Sequence, residues 1–126
     1  MRYLLDTQVL IWAMEKNPRL KPKVKAVVDS VMNEMWVSVV SVWEMLIKKK
    51  LGKLRVPGEI KRDLLKAGFK ILALNIDQVL AVDNLPLLHK DPFDRMLVAQ
   101  AQAEEMTLIT ADAKLAKYEV KCLENS

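Results

Sequence analysis

Short apolar, β-branched runs alternate with segments of helical period along most of this chain, and that alternation narrows the folds open to it. Residues 2–5 form an apolar run closed by Asp6, and residues 7–15 follow with Val9, Leu10, Trp12 and Ala13 at helical spacing. The pair predicts a strand, then a helix. Pro22 suits the first turn of a second helix through Val24, Val27, Val28, Val31 and Met32. Residues 34–40 are β-branched and aromatic and predict a second strand. Ser41, with Glu44 three residues on, has the spacing of a capping box at the head of a third helix. Residues 51–56 predict a loop, Pro57-Gly58 the opening of a helix through Ile60, Leu64 and Leu65 to Gly68, and residues 69–74 a short strand. Residues 76–82 read as helical, residues 84–92 as irregular because of their two prolines, and Pro92 starts a long helix through Glu105. A strand over 106–110, a short helix over 111–117 and a last strand over 119–123 complete the pattern. Strands separated by helical crossovers predict an α/β fold with a central, mainly parallel sheet of about four to five strands, covered on both faces.

The 126 residues, 52% hydrophobic and 29% charged, fit one compact domain spanning 1–126, without repeat, low-complexity tract or linker. Cys122 is the lone cysteine and His89 the lone histidine, so neither an internal disulfide nor a zinc-spaced cluster is available. The expected compartment is the reducing cytoplasm. No apolar run of about 18 residues occurs, and the apolar N-terminus carries Asp6 and lacks a small-residue cleavage site; neither a membrane span nor a signal peptide is expected. A net charge of +4 and a pI near 9.2 permit a polyanionic partner without requiring one.

In open parallel sheets, ligands bind outside the carboxyl ends of the strands, near the point where strand order reverses. Asp6 directly follows the first strand, and Asp112 follows the 106–110 strand by two residues. Glu44 lies early in the third helix, and Asp94 in the first turn of the helix that feeds 106–110. All four can meet in one cleft, where their mutual repulsion calls for cations. Each also has an ordinary use: Asp6 as a helix cap, Glu44 as half of a capping box, Asp91 or Asp94 as acids at a helix N-terminus, Asp112 as a surface residue. The joint pattern favours the cleft. Glu44 is flanked by Val42, Trp43, Met45 and Leu46, and a carboxylate on so apolar a segment needs a partner. Oxygen donors of this kind select Mg²⁺, or Mn²⁺ as its substitute, over zinc or copper.

The segments LLDTQVLIW, SVVSVWEMLIKKKLGKL and HKDPFDRMLVAQAQAEEMTLITAD together resemble the PIN domain, and within it the VapC-like toxin ribonucleases of type II toxin–antitoxin modules. The resemblance covers nearly the whole chain. It implies a three-layer α/β/α sandwich and a metal-dependent endoribonuclease in which metal-activated water attacks an RNA phosphodiester. Asp6, Glu44 and Asp94 match the three acids that bind the divalent metal, and Asp112 matches a fourth, more variable one. Thr7 and Thr110 occupy matching polar positions, suited to holding water at the metal or ordering a carboxylate. Asp91, one helix turn from Asp94, is an accessory candidate. Gln8 stands where many members have His, a departure that leaves the acids intact and bears on substrate contacts. The resemblance also implies a homodimer and a cognate antitoxin whose tail brings Arg to the carboxylates. Trp12 or Val28 could serve either interface.

Lys48, Lys49, Lys50, Lys53 and Arg55 form a basic stretch after Glu44, open both to phosphate contact and to a solvated helix end with favourable cations. Arg95 is open to a phosphate or to pairing with Asp91 or another acid. Trp12, Trp36 and Trp43, with the methionines, are expected in the core or a dimer surface rather than as base-stacking platforms. His89, in a proline-rich loop, is not expected to be a catalytic base, and Cys122 is expected to be a core residue of the last strand. Two other classes stand beside the nuclease. One is a non-catalytic PIN-like RNA-binding or scaffold protein, disfavoured because all four acidic positions are filled. The other is a phospho-acceptor or phosphatase-type α/β domain, disfavoured because no second acid stands two residues after Asp6.

Overall fold

The computed structural model describes residues 1–56 and 58–126; Pro57, expected to open a helix with Gly58, lies outside the described residues. Five strands form one parallel sheet: β1 (Arg2–Leu5), β2 (Glu34–Ser38), β3 (Lys70–Leu72), β4 (Thr107–Thr110) and β5 (Cys122–Glu124), in the order β3-β2-β1-β4-β5. Six helices lie along the crossovers: α1 (Thr7–Glu15), α2 (Pro22–Asp29), α3 (Val39–Lys50), α4 (Ile60–Lys66), α5 (Ile76–Ala81) and α6 (Pro92–Glu104). The expected α/β sandwich is what forms.

Side chains alternate across the central strand, and this divides the core in two. Tyr3 and Leu5 join Val9 and Leu10 of α1, Val24 of α2 and Leu64 of α4 on one face. Leu4, in register with Trp36 and Leu108, joins Leu97, Val98 and Ala101 of α6 on the other. Leu4 and Leu5 are fully buried, each worth roughly 1.5–3 kcal/mol by area removed from water. From β1 the chain builds outward to β2 and β3 on one side and to β4 and β5 on the other, so strand order reverses between β1 and β4. Open parallel sheets bind ligands at the carboxyl edge beside such a reversal.

Several element ends differ from expectation. Helix α2 stops at Asp29, and Val31 and Met32, though apolar and at helical spacing, are 97% and 83% exposed. The third helix starts earlier than expected: Ser38, extended at the buried end of β2, already accepts the Val40 N–H on its Oγ at 3.0 Å. Ser41 therefore falls inside α3, where its buried hydroxyl accepts from Thr7 Oγ1 at 3.1 Å, and Glu44 is not part of a capping box. The segment 111–117 forms only a single 3₁₀ turn at Leu115–Lys117, because Asp112 Oδ1 takes the Lys114 N–H and turns the chain before a helix can begin. β5 is shifted to Cys122–Glu124.

Candidate metal centre

Asp6 ends β1 and caps α1. Its Oδ1 accepts the Val9 N–H at 2.8 Å, while Oδ2 accepts the Thr110 hydroxyl at 2.6 Å and the Ala111 N–H at 2.9 Å. The helix-capping role expected of Asp6 is present, and the three bonds leave the carboxylate no freedom to rotate. Burial nevertheless pushes the Asp6 carboxyl above its usual value: desolvation outweighs those bonds, and the Glu44 charge adds to it. Thr110 also takes the Asp112 N–H on its Oγ1 at 2.9 Å, so one hydroxyl links the ends of β1 and β4. Thr7 bonds Ser41 and fastens α1 to α3.

Glu44 is 7% exposed in the second turn of α3. Its Oε2 meets Lys48 Nζ at 2.9 Å, one turn along the helix. Among the described residues, its Oε1 is buried with no hydrogen-bond partner. Asp94 lies in the first turn of α6 behind Asp91, whose Oδ1 caps the helix by accepting the Phe93 and Asp94 N–H groups at 2.9 and 3.0 Å. Burial first, and then the charges of Asp91, Asp6 and Glu44, push the Asp94 carboxyl up to about 7. The Asp6, Glu44 and Asp94 charges thus act on one another, while the ligand atoms that lie within 4.8 Å of one another among the described residues are those of His89, Asp94 and Asp112.

Asp112 is more open, its side chain 39% exposed. Desolvation acts upward on it but loses to the Lys114 and His89 bonds, which leave its carboxyl below the ordinary range. His89 is the residue that sequence reasoning did not assign to the site. Its Nε2 lies 2.7 Å from Asp112 Oδ2 and 3.5 Å from Asp94 Oδ2, and its Nδ1 accepts the Asp91 N–H at 3.0 Å. The signal available was a lone histidine five residues ahead of Asp94.

The basic residues divide. Lys48 is held by Glu44, while Lys49, Lys50, Lys53 and Arg55 are exposed at and beyond the end of α3. Arg95 points away from the acids: Nη1 donates to Pro86 O and Tyr118 Oη, and Nη2 to the Val82 and Leu85 carbonyls. Successive helix residues diverge by roughly 100°, which sends Arg95 to residues 82–86 and leaves Asp94 beside His89. It pairs with carbonyl oxygens, not with Asp91.

A family model of the PIN domain matches residues 3–121. The chain belongs to the PIN domain family. PIN domains are generally nucleases, usually with divalent metal ions. This PIN domain is similar in fold to VapBC2 from Rickettsia felis, solved with a DNA fragment from its promoter, at 17% identity and a TM-score of 0.72 over 98% of each chain. A toxin–antitoxin complex from Klebsiella pneumoniae matches at 21% identity and 0.67, again over 98% of each chain. FitAcB from Neisseria gonorrhoeae matches at 17% and 0.67, over 98% of this chain and 97% of that one. No curated protein matches.

The residues of this PIN domain fit a hard divalent cation. A buried carboxylate oxygen without a donor, beside two further acids whose charges burial opposes, is destabilising by itself and is relieved by a cation. The available donors are carboxylate oxygens, the kind Mg²⁺ and Mn²⁺ prefer.

Proposed function

We propose that this chain is a metal-dependent endoribonuclease, the toxin of a type II toxin–antitoxin module. It acts in the cytoplasm as one PIN domain spanning residues 1–126 and hydrolyses RNA phosphodiesters with water activated by Mg²⁺, or by Mn²⁺ in its place. The observation that carries the proposal is the buried Glu44 Oε1, without a hydrogen-bond partner among the described residues, on a carboxylate whose charge raises both Asp6 and Asp94 in a PIN domain. Asp6, Glu44 and Asp94 would hold the ion, and Asp112 would add a fourth carboxylate.

When bound, the ion supplies positive charge that acidifies water and offsets charge gathering on the phosphate oxygens. The protein's part is orientation and charge. Val9, Thr110 and Ala111 fix both oxygens of Asp6 before any ligand arrives, which spares the cost of ordering it later. Burial and the charges of Asp91, Asp6 and Glu44 push the Asp94 carboxyl up to about 7, and a cation held among these acids would favour its ionised form. Lys48, Lys49 and Lys53 offer charge to the RNA backbone beside the centre. Arg95 is spent on loop carbonyls and is withdrawn from that group.

Toxin–antitoxin complexes among the structural neighbours support a cognate antitoxin as partner. The exposed Val39, Trp43 and Leu46 on α3 support a homodimer. The test is cleavage of end-labelled RNA by purified protein titrated with Mg²⁺ and with Mn²⁺. Cleavage is expected to require the ion, to stop with chelator, and to be lost in Asp6→Asn and Glu44→Gln. RNA binding without cleavage at any metal concentration would move the protein to the non-catalytic binding class.

A further inference from the structure

The His89 ring, with its side chain 13% exposed, lies against Asp94 and Asp112, and its polar atoms are committed. Nδ1 accepts the Asp91 N–H at 3.0 Å. A backbone N–H can only donate, so Nδ1 carries no proton and the neutral ring has its hydrogen on Nε2. That hydrogen is 2.7 Å, donor to acceptor, from Asp112 Oδ2. His89 Nε2 and one oxygen each of Asp94 and Asp112 lie within 4.8 Å of one another, a spacing that a metal would accept. The tautomer argues otherwise: an Nε2 that bears a proton has no lone pair to give.

The rest of the loop fixes the ring. Tyr118 Oη accepts the Leu88 and His89 N–H groups at 3.2 and 3.0 Å, and Arg95 ties Tyr118 to the carbonyl groups of the same loop. Asp112 has less support. It stands in a turn, its Oδ1 used by Lys114, and Oδ2 is free to leave for solvent without the His89 bond.

We propose that His89 is a positioning residue of the acidic centre, its Nε2–H holding Asp112 Oδ2 beside Asp94 so that the fourth carboxylate faces the cation. The role rests on the metal-dependent function proposed above. One bond from Nε2 leaves Oδ2 a second lone pair for the ion. Through Tyr118 and Arg95, the loop is the brace that aims the ring.

The test uses Mn²⁺ alone as the probe and tag-free protein, in which His89 is the only histidine, so every imidazole signal belongs to it. Long-range ¹H–¹⁵N correlation at mildly alkaline pH should report the Nε2–H tautomer in wild type; an Nδ1–H tautomer overturns the proposal. By calorimetry, Asp112→Ala and His89→Asn should each weaken Mn²⁺ binding about 10- to 100-fold, the usual cost of losing a residue that orients a ligand. Asn keeps an acceptor for the Asp91 N–H, preserving the loop while deleting the donor. The double variant should bind no more weakly than Asp112→Ala. His89→Gln, whose amide N–H can take the place of Nε2–H, should recover most of the loss. Additive losses in the double variant, or Gln as poor as Asn, overturn the role. Wild type that binds no Mn²⁺ overturns the metal function and this role together. Binding that Asp6→Asn abolishes but His89→Asn leaves intact overturns this role alone.

Discussion

Two polar side chains of helix α6, Asp94 near its start and Gln100 further along, sit in very different company. Gln100 is fully buried and satisfied: Oε1 accepts the Ser38 hydroxyl, and Nε2 donates to Ala73 O at 3.3 Å and Gln78 Oε1 at 3.1 Å. Gln78 Nε2 passes the chain on to Glu104 at 3.2 Å. Asp94 faces three other acids, and the nearby Glu44 keeps an oxygen with no donor. A network in which donors meet acceptors holds α6 to β2 and α5 and stabilises the fold. A cluster of like charges costs stability, and its retention points to use. Substitutions in the two clusters should therefore have opposite signatures.

The largest effect is expected on activity at the acidic end. Glu44→Gln should lower metal-dependent RNA cleavage about 10³-fold, the upper range for losing one electrostatic stabiliser. The same change should leave the metal-free melting temperature unchanged or higher, since it removes one of the mutually repelling charges. A variant that lost activity by unfolding would blur the contrast, so both quantities are measured on one preparation.

Gln100→Leu should do the reverse. It removes the partner of the buried Ser38 hydroxyl and of the buried Gln78 side chain, and the bond to the exposed Ala73 carbonyl, at a cost of about 1–3 kcal/mol by urea denaturation. Cleavage per folded molecule should stay within about twofold, because a group this far from the charges changes packing and not the transition state. A large loss of activity in folded Gln100→Leu would break the division between the clusters.

A smaller effect follows from the raised carboxyls. Asp94 titrates near 7 folded and at its ordinary 3.8 unfolded, so between those values the native state holds a proton that the unfolded state lacks. Stability of the metal-free protein therefore falls as pH rises from about 4 to about 7. Asp6, also raised, acts in the same direction. Asp112 is lowered, and its opposite contribution lies below 3.8, outside that window. Thermal melts across this range should slope downward in metal-free buffer, flatten in Asp94→Asn, and flatten in wild type with Mg²⁺. A melting temperature independent of pH without metal would mean that Asp94 and Asp6 lack the burial and the acidic neighbours that raise them.

How much of this the sequence disclosed depends on the range of the forces involved. The joins at Asp6 and Pro92 were legible because local chemistry, a capping acid and a fixed φ, decides them. The end of α2 was not, since Val31 and Met32 continue an apolar rhythm that no neighbouring element covers. Ser38 and Ser41 are both credible caps, and only the depth of β2 selects the first. The acids could be gathered by topology, given that Asp6 and Asp112 follow strands flanking the switch point. His89 could not: its contacts run to residues 94 and 112, and a single histidine has no spacing to betray a partner.

Lys48 is where the two kinds of cluster meet, because it gives Glu44 Oε2 the partner that Oε1 lacks. Its side chain is 39% exposed, so the pair is worth no more than about 1 kcal/mol. An ammonium on Glu44 and a divalent ion beside it repel, which makes Lys48 a weak competitor for the same carboxylate in the resting protein. Once the ion is present, the displaced ammonium has an obvious alternative in a substrate phosphate. Lys48→Ala should therefore tighten Mn²⁺ binding by about two- to fivefold, consistent with an exposed pair. It should at the same time weaken RNA binding and reduce its salt dependence by about one counterion. The two shifts in opposite directions separate a counter-ion that hands over its charge from a lysine that only orients Glu44, for which Mn²⁺ affinity would fall.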